Sequence, residues 1–331
     1  MKLIIPMAGM GKRMRPHTLN TPKPLLKIAG KSLVQRIVED LKASTNNVFD
    51  EIHYVIGEFG KDIENELLNI ALNIGAKGYI HFQNEPLGTA HAIYCADIAL
   101  NGEVIIAFAD TLFEGDFSIT KNDEAIIWTM CVSHPESYGV VITNKNYEIT
   151  GFAEKPKSFI SNEAIIGIYY FKNAQILKEK IEILFKNKTV VKGEYQLTDA
   201  LELLMKDSIT IRSANIDKWL DCGNKNEFLV SAKNVLEREF KNTVYNYKNT
   251  KIKYPVYIGK NVSIVNSVIG PYVIVEDDTI ICDSKIRDTI IYNNCKIDNS
   301  ETTNSIIGNN SIINCAKGVL NVGDYSTYES I

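Results

Sequence analysis

The sequence lacks any apolar run long enough to cross a membrane. Its longest stretches, such as Ile165–Phe171, fall well short of the roughly 18 residues that a membrane span needs. The apolar stretch at the N-terminus is too short for a secretory signal, and basic residues follow it instead of preceding it. We therefore expect a cytoplasmic protein with no membrane association.

Cysteine is sparse, and no two cysteines form a C-x-x-C pair. The six cysteines are Cys95, Cys131, Cys222, Cys282, Cys295 and Cys315. In an intracellular chain, such wide spacing favours buried free thiols over disulfide bridges or zinc ligands. A disulfide-stabilised domain and a zinc domain are therefore not expected.

Acidic residues are absent from the first 31 positions, although the whole chain has a net charge of −4. These positions hold seven basic residues: Lys2, Lys12, Arg13, Arg15, Lys23, Lys27 and Lys31. The negative net charge argues against a nucleic-acid partner. A basic cluster in an acidic protein suggests a small anionic ligand, but on charge alone a solvated basic surface is the simpler explanation.

The length of 331 residues and the hydrophobic content of 45% indicate a globular chain of about two domains. Up to residue 108, strand-like apolar runs alternate with helical periodicities, which predicts parallel βαβ units with helices on both faces of a sheet. From Ala125 to Phe171, strand-like runs dominate and suggest an antiparallel insertion or lid. Helical patterns return near 174–185, 197–206 and 226–240, the last with Phe228, Leu229, Ala232, Val235 and Leu236 on its inner side. We predict an α/β domain over residues 1–241.

Beyond about residue 250, helical periodicity disappears and Ile, Val, Asn, Ser and Gly dominate. An apolar residue recurs at every sixth position, at Val262, Val268, Ile274, Ile280 and Ile286. This spacing is typical of a parallel β-helix, and about eighteen residues per coil give between three and four coils over 256–322. The corners of such a coil need left-handed backbone, to which asparagine is suited, as at Asn261, Asn266, Asn309 and Asn310. We predict a second domain over residues 250–331.

The first predicted strand runs into the loop AGMGKRMRP at 8–16, which combines two glycines with basic side chains. Glycines let backbone N–H groups approach an anion, and flanking cations neutralise it. Neither a Walker A loop nor a dinucleotide fingerprint fits, because Pro6 and Met14 stand where those motifs require glycine. Lys23 follows in a stiff, proline-flanked segment that suits it to bind a phosphate. A plain turn and a solvated surface lysine are the alternatives.

The loop and several later segments together resemble the signature of sugar-1-phosphate nucleotidyltransferases. The pattern A-G-x-G-x-R-x-x-P-x-T, followed by P-K-P-L, matches residues 8–18 and 22–25. The further segments, in the order of that family, are QNEPLGTAHA at 83–92, FAD at 108–110, YGVV at 138–141, FAEKP at 152–156, GEYQLTDA at 193–200 and WLDCG at 219–223. The resemblance covers about residues 1–240, and the tail is similar to the left-handed β-helix that some members carry.

The resemblance implies a Rossmann-like domain with a mixed, mainly parallel sheet, followed by a short left-handed parallel β-helix. It places Ala8, Gly9, Met10, Gly11, Lys12, Arg13, Gln83, Gly88 and Thr89 at the nucleotide. It places Gly139, Glu154, Lys155, Gly167 and Glu194 at the sugar phosphate, and Asp110 and Asp221 at a Mg²⁺ cofactor. The implied catalytic set is Arg13, Lys23, Asp110, Lys155 and Asp221. Ala8 and Lys12 depart from the residues usual in the family, without removing a charge that the reaction needs.

The implied reaction joins an NTP and a sugar 1-phosphate to give an NDP-sugar and pyrophosphate. In-line attack on the α-phosphorus needs positioning and charge neutralisation, and no covalent enzyme intermediate. Arg13 would stabilise the leaving pyrophosphate, and Lys23 the α-phosphate or the sugar phosphate. The amide of Gln83 suits uracil or thymine, whereas guanine-selective members tend to have a carboxylate there. We therefore expect UTP or dTTP as the nucleotide and glucose 1-phosphate as the acceptor.

Two other functions stay open. A catalytically silent regulatory or scaffold protein would keep this layout but is expected to have lost the metal carboxylates or the Arg and Lys set. A bifunctional nucleotidyltransferase–acetyltransferase would need a histidine base in the tail, and the last histidine is His134. We expect nucleotidyl transfer alone, small-molecule substrates, and a β-helix that assembles the chain into a homo-oligomer.

Overall fold

A computed structural model describes residues 1–45 and 47–329. The chain divides into two compact units, the first made of Met1–Gly9 and Val34–Trp219, the second of Met10–Leu33 and Leu220–Ile331. These units differ from the predicted domains 1–241 and 250–331, because residues 10–33 and the helix after residue 224 cluster with the C-terminal strands. The predicted domain limits stay a prediction. No helix in the described ranges combines the length and apolarity needed to cross a bilayer.

Residues 2–239 form thirteen strands and six α-helices within the described ranges. The strands are β1 Lys2–Pro6, β2 Lys27–Ile28, β3 Lys31–Ser32, β4 Glu51–Ile56, β5 Lys77–Phe82, β6 Val104–Ala107, β7 Thr111–Glu114, β8 Ala125–Cys131, β9 Gly139–Thr143, β10 Ile149–Glu154, β11 Glu163–Phe171, β12 Ile211–Asn215 and β13 Lys218–Asp221. The helices are α1 Leu33–Ser44, α2 Lys61–Asn73, α3 Thr89–Tyr94, α4 Gln175–Asn187, α5 Leu197–Lys206 and α6 Lys225–Glu239. The predicted inner face of α6 is confirmed, since all five of its apolar residues are buried.

The first unit is built on a nine-stranded mixed sheet of order β10-β9-β11-β6-β1-β4-β5, with β8 beside β11 and β12 beside β8. β1 pairs in parallel with β4 and β6, and β4 pairs in parallel with β5. The central strands β1, β4 and β6 are almost fully buried, as parallel strands covered on both faces are. The predicted Rossmann-like, mainly parallel α/β architecture is confirmed.

The strands of residues 125–171 are not a separate lid. β11 pairs antiparallel with β6 from Ile168 to Phe171 and with β8 on its other side, so these strands extend the central sheet. Tyr169, Tyr170 and Phe171 are buried, and this continuous apolar stretch explains why β11 lies inside the sheet. The predicted insertion is therefore antiparallel, as expected, but belongs to the core.

Within residues 251–329, fifteen short strands form three parallel sheets of five strands each. The first sheet holds β14 Lys251–Ile252, β17 Val268–Ile269, β20 Lys285–Ile286, β23 Glu301–Thr302 and β26 Lys317–Gly318. The second holds β15 Val256–Ile258, β18 Val273–Val275, β21 Thr289–Ile291, β24 Ser305–Ile307 and β27 Asn321–Val322. The third holds β16 Ser263–Val265, β19 Ile280–Cys282, β22 Lys296–Asp298, β25 Ile312–Asn314 and β28 Thr327–Glu329. The predicted left-handed parallel β-helix is confirmed in this stack.

The coils of the β-helix shorten along the chain. Ile264 pairs with Ile281, and Ile281 pairs with Ile297, so the second coil is shorter than the first. In the last coil, Ile313 pairs with Tyr328, so this coil contains fewer residues again. Every one of these coils is shorter than the predicted one, so the predicted coil length is wrong.

The six-residue pattern of the sequence does not coincide with the buried positions of the β-helix. The buried residues Ile264, Ile269 and Val275 are separated by five and then six positions. Ile280, one of the residues in the six-residue pattern, is 42% exposed, while its neighbour Ile281 is fully buried. An outward-facing isoleucine beside an inward-facing one, as at Ile280 and Ile281, produced the apparent six-residue period.

Left-handed residues form the corners of the β-helix. Asn261, Asn266 and Asn310 have φ values of 55°, 51° and 57°, as predicted, whereas Asn309 is not in this region. Asn261 donates from Nδ2 to Asp278 Oδ1 in the next coil at 3.0 Å. Such side-chain bonds connect successive corners and stabilise their strained backbone.

The six cysteines are all free thiols, as predicted. Cys222 and Cys295 are buried, but Cys131 is exposed, so the expectation that all are buried is wrong. Burial raises the pKa of Cys295 to about 11, which keeps this thiol protonated and unreactive.

Candidate active site

Three parallel strands of the first unit lead to predicted site residues at one edge of the sheet. β1 leads to Ala8 and Gly9, β5 to Gln83, and β6 to Asp110. The carboxyl ends of neighbouring parallel strands lie at the same edge, where open α/β sheets bind their ligands. A methyl group at Gly9 would meet no atom within 4 Å, so the chain leaves space where β1 ends.

Gln83 presents the oxygen of its amide to the surroundings. Its Nε2 donates to the carbonyl oxygen of Gly88 at 3.2 Å and to Nδ1 of His91 at 3.1 Å. Because a carbonyl only accepts, this contact fixes which end of the amide is nitrogen. Burial lowers the pKa of His91, so its neutral ring accepts at neutral pH. Within the described residues no donor reaches Oε1 of Gln83, which leaves this atom as an acceptor for a ligand.

Gly88 approaches the backbone of the segment around Tyr195. Its φ is +109°, and a methyl group there would lie 2.4 Å from the carbonyl oxygen of Tyr195 and 3.0 Å from Cβ of Glu194. The hydroxyl of Thr89 accepts the N–H of Leu197 at 2.9 Å, at the first turn of α5. The structure thus brings Gly88 and Thr89 together with Glu194, and gives the Thr89 hydroxyl a structural partner.

Three of the predicted sugar-phosphate residues, Gly139, Glu154 and Gly167, lie on β9, β10 and β11, and Lys155 directly follows β10. Gly139 pairs with Glu154, and a methyl group at Gly139 would lie 2.9 Å from Oε2 of that carboxylate. Nζ of Lys155 is 4.0 Å from Oε1 of Glu154, and both side chains are more than half exposed, so this ion pair is weak. Gly167 has a φ of +86°, and its carbonyl accepts the N–H of Phe108 at 3.0 Å. This contact places Gly167 beside the end of β6.

In the second unit, Gly11 packs against Lys23. Gly11 has a φ of +72°, and a methyl group there would lie 2.5 Å from Cβ of Lys23. The Gly11 carbonyl accepts the N–H of Met14 and the hydroxyl of Thr18, both at 2.9 Å. Lys23 is only 6% exposed, so the alternative of a solvated surface lysine is wrong.

Arg13 and Asp221 approach each other at Gly223, also within the second unit. A methyl group at Gly223 would lie 2.9 Å from Nη2 of Arg13 and 2.9 Å from Oδ1 of Asp221. Oδ1 of Asp221 accepts the N–H of Gly223 at 2.7 Å, and its backbone carbonyl accepts the hydroxyl of Ser231 at 2.9 Å. The structure therefore holds one predicted cation and one predicted carboxylate around a single glycine.

The two predicted metal ligands belong to different units, and their meeting stays a prediction. Asp110 is exposed in the turn after β6, and Asp221 ends β13 with its Oδ1 on the N–H of Gly223. Within residues 1–45 and 47–329, no group of three or more His, Cys, Asp and Glu side chains is able to enclose a metal. Two carboxylates suit Mg²⁺, which takes few protein oxygens and completes its shell with substrate phosphates and water.

The exposed members of the predicted site are mainly charged. They are Gly9, Met10, Lys12, Arg13, Asp110, Glu154, Lys155 and Glu194. Exposure leaves these charges accessible to a dissolved anionic substrate, and their participation in binding stays a prediction.

A model of the nucleotidyl transferase family matches residues 2–238. The chain belongs to this family. The match runs from β1 to α6 and includes every predicted site residue, so this nucleotidyltransferase is a transferase enzyme, as the sequence motifs indicated.

Relatives and a solved structure resemble this nucleotidyltransferase over different lengths. The bifunctional protein GlmU of Methanocaldococcus jannaschii is 28% identical over 95% of this chain and 79% of its own length. The mannose-1-phosphate guanylyltransferase catalytic subunit beta of Drosophila melanogaster is 30% identical over 69% of this chain and 61% of its own length. A crystal structure of a Bacillus anthracis protein described as a glucose-1-phosphate thymidylyltransferase, in complex with sucrose, has a TM-score of 0.60 at 24% identity. It covers 72% of this chain and 95% of that chain, and supports the fold.

Sequence reasoning missed two residues of this nucleotidyltransferase site. His91 accepts from Gln83 and thereby orients its amide, and Gly223 gives Arg13 and Asp221 room to approach. Both residues stand inside the family-like segments at 83–92 and 219–223, but only the folded chain shows what each contacts.

Proposed function

We propose that this enzyme transfers the nucleotidyl group of UTP or dTTP to a sugar 1-phosphate, with glucose 1-phosphate as the acceptor, and releases pyrophosphate. The proposal depends above all on the meeting of Arg13 and Asp221 at Gly223. A guanidinium and a carboxylate that both border Gly223 suit a site where the cation binds phosphate and the carboxylate binds a metal.

Each charged side chain has a separate task in the proposed reaction. Arg13 donates to the pyrophosphate as it leaves, where negative charge accumulates. Lys23, buried beside Gly11, neutralises the α-phosphate or the sugar phosphate. Lys155 binds the phosphate of the sugar, and Glu154 accepts hydrogen bonds from its hydroxyls. Gly139 and Gly167 give the sugar room.

Asp110 and Asp221 would hold a Mg²⁺ ion in this proposal. When bound, such an ion neutralises phosphate charge and polarises the phosphorus that is attacked. Asp221 suits this task, because Gly223 N–H binds Oδ1 and fixes the orientation of the carboxylate, with Oδ2 on its other side. Asp110 suits it because its carboxylate is exposed at the end of β6.

The orientation of Gln83 supports a pyrimidine base. Its Oε1 is placed to accept one hydrogen bond, and uracil and thymine present one ring donor, N3–H, at their Watson–Crick edge. Guanine presents two adjacent donors there, which a carboxylate accepts better than a single amide oxygen. Since one relative is named as a guanylyltransferase, the base preference needs a direct test.

The test is the initial rate of pyrophosphate release with Mg²⁺, each of the four NTPs and dTTP, and a panel of sugar 1-phosphates. We expect turnover with UTP or dTTP and glucose 1-phosphate. We expect none with Asp110→Asn, whose carboxamide keeps the shape of the side chain and removes its charge. Preference for GTP or ATP would contradict the role of Gln83, and a fully inactive, folded wild type would indicate the silent scaffold instead.

The β-helix has an assembly role in this proposal, with no chemistry of its own. One relative is named as bifunctional, but this chain has no histidine after His134 that would serve as the base of an acetyltransferase. Acetyl-CoA turnover on an amino-sugar 1-phosphate would overturn the assignment of a single activity. Sedimentation velocity of the full chain tests the proposed homo-oligomer, and a monomer at all concentrations would refute it.

A further inference from the structure

The segment Met10–Leu33 carries Arg13 and Lys23, and its hairpin β2–β3 lies on the β-helix. The N–H of Gly30, at the hairpin turn, donates to Oε1 of Glu276 at 2.9 Å. Glu276 is 1% exposed, and a carboxylate buried this deeply is costly unless it receives hydrogen bonds. Gly30 has a φ of +81°, and a methyl group there would lie 2.5 Å from the hydroxyl oxygen of Tyr257. Both the backbone conformation and the close approach favour glycine at the turn.

Two further contacts fix the same segment. The hydroxyl of Tyr292, which is 5% exposed, donates to the carbonyl of Lys27 at 3.3 Å. At the other end of the segment, Nε2 of His17 donates to Oδ1 of Asn321 at 2.8 Å. His17 is 3% exposed, so the bond to Asn321 supplies a buried ring with one of its partners. The β-helix therefore contacts the segment at His17, Lys27 and Gly30.

Each predicted cation is followed closely in sequence by an attachment point. His17 follows Arg13 by four positions, and Lys27 follows Lys23 by four positions. The predicted phosphate-binding side chains are thus carried by a segment that β-helix residues, about 250 or more positions away in sequence, hold at two backbone groups and at the His17 ring. We propose that Glu276, Tyr292 and Asn321 are positioning residues for Arg13 and Lys23, so that the β-helix sets the rate of nucleotidyl transfer without touching the substrate.

This inference rests on the proposed function, because it assigns Arg13 and Lys23 to the reaction. Removing the Glu276 carboxylate leaves the Gly30 N–H without this acceptor and loosens the hairpin, which keeps the Tyr292 contact at Lys27. Arg13 acts on the leaving group, so its displacement weakens binding of the transition state more than binding of the sugar phosphate. The expected signature is a lower kcat; the KM for the sugar 1-phosphate stays almost unchanged if Lys23 acts at the α-phosphate and rises if Lys23 binds the sugar phosphate.

The test compares Glu276→Ala, Glu276→Gln and the matched control Glu301→Ala in the full chain. Glu301 is an exposed glutamate on β23, and no described side-chain contact joins it to the Met10–Leu33 segment. We expect Glu276→Ala to lower kcat about tenfold, less than the roughly hundredfold that a 1 Å misplacement can cost. Glu276→Gln retains an acceptor for Gly30, so it should keep kcat within about threefold of the wild type. The control should equal the wild type.

Hydrogen exchange of peptides within residues 10–33 gives a readout that does not depend on activity. Exchange should accelerate in Glu276→Ala, and much less in Glu276→Gln, while the β-helix strands stay protected. If Glu276→Ala fails to fold, Asn321→Ala replaces it with the same expectation. Wild-type kcat and wild-type exchange rates in these variants would overturn the inference. Absent turnover in the wild type would refute the proposed function, whereas the exchange data alone would still confirm or refute the attachment of the segment.

Discussion

Replacing Gly223 by alanine tests whether Arg13 and Asp221 act together. The added methyl group would lie 2.9 Å from Nη2 of Arg13, 2.9 Å from Oδ1 of Asp221 and 3.2 Å from Cζ of Arg13. Non-bonded heavy atoms are comfortable at roughly 3.5 Å, so both side chains must retreat by about 0.5 Å. Gly223 does not have a left-handed backbone, so alanine introduces no backbone strain there.

The expected effect on activity is much larger than the effect on stability. The atoms that must move belong to the ends of two side chains, so we expect the free energy of unfolding to change by about 1 kcal/mol or less. A 1 Å misplacement of reacting groups can cost roughly a hundredfold in rate. For about half that displacement, we expect kcat/KM to fall roughly tenfold, which corresponds to about 1.4 kcal/mol of transition-state stabilisation.

The assay is pyrophosphate release at saturating and limiting NTP, with thermal unfolding measured on the same samples. Gly151→Ala is the matched control, because its methyl group would meet the nearest atom, Cδ1 of Ile142, at an ordinary 3.4 Å. A Gly223→Ala variant that keeps full kcat/KM and folds normally would show that neither Arg13 nor Asp221 has to occupy its observed position during the reaction.

Three other predictions concern stability and specificity. Burial lowers the pKa of His17 from 6.5, so the neutral ring stabilises the fold fully above that pH and this contribution is lost as the pH falls towards the lowered value. The Tm should therefore drop more steeply below about pH 6.5 in the wild type than in His17→Gln, and parallel curves would contradict this. Ile297→Ala, in the β-helix core, should cost about 2–5 kcal/mol in urea unfolding, whereas Ile280→Ala, at 42% exposure, should cost about 0.5 kcal/mol, and equal costs would refute the observed register. Gln83→Glu should raise kcat/KM for GTP relative to UTP, and an unchanged ratio in competition assays would show that this side chain does not read the base.

The sequence predicted those parts of the fold that depend on local periodicity. The alternation of strand and helix up to residue 108 was enough for the parallel order of β1, β4, β5 and β6. The position of β11 depends on pairing with a strand far earlier in the chain, and no local pattern contains that information. The predicted coil length was wrong because Ile280 and Ile281 are equally apolar in the sequence. Only their burial in the structure shows which side chain faces the core and which faces solvent.

The candidate site was predictable as a set of residues but not as an arrangement. The motifs indicated Gln83 as a site residue. The orientation of its amide, however, depends on contacts with His91 and with the Gly88 carbonyl. From the sequence, a surface position was an open alternative for Lys23. In the structure Lys23 is buried and packs against Gly11. The bond between Gly30 and Glu276 joins positions 246 residues apart, a separation at which sequence spacing has no predictive value.

The unequal coils give the β-helix a single way to wind. In an array of identical turns, displacing a strand by one whole turn would restore nearly the same contacts, and competing alignments would be close in free energy. In this β-helix the step from Ile264 to Ile281 is longer than the step from Ile281 to Ile297, and the step from Ile313 to Tyr328 is shorter than both. A one-turn slip would therefore bring outward-facing side chains into the core and expel isoleucines into water. Deleting or grafting one turn should succeed only where the donor and the recipient turns have equal length.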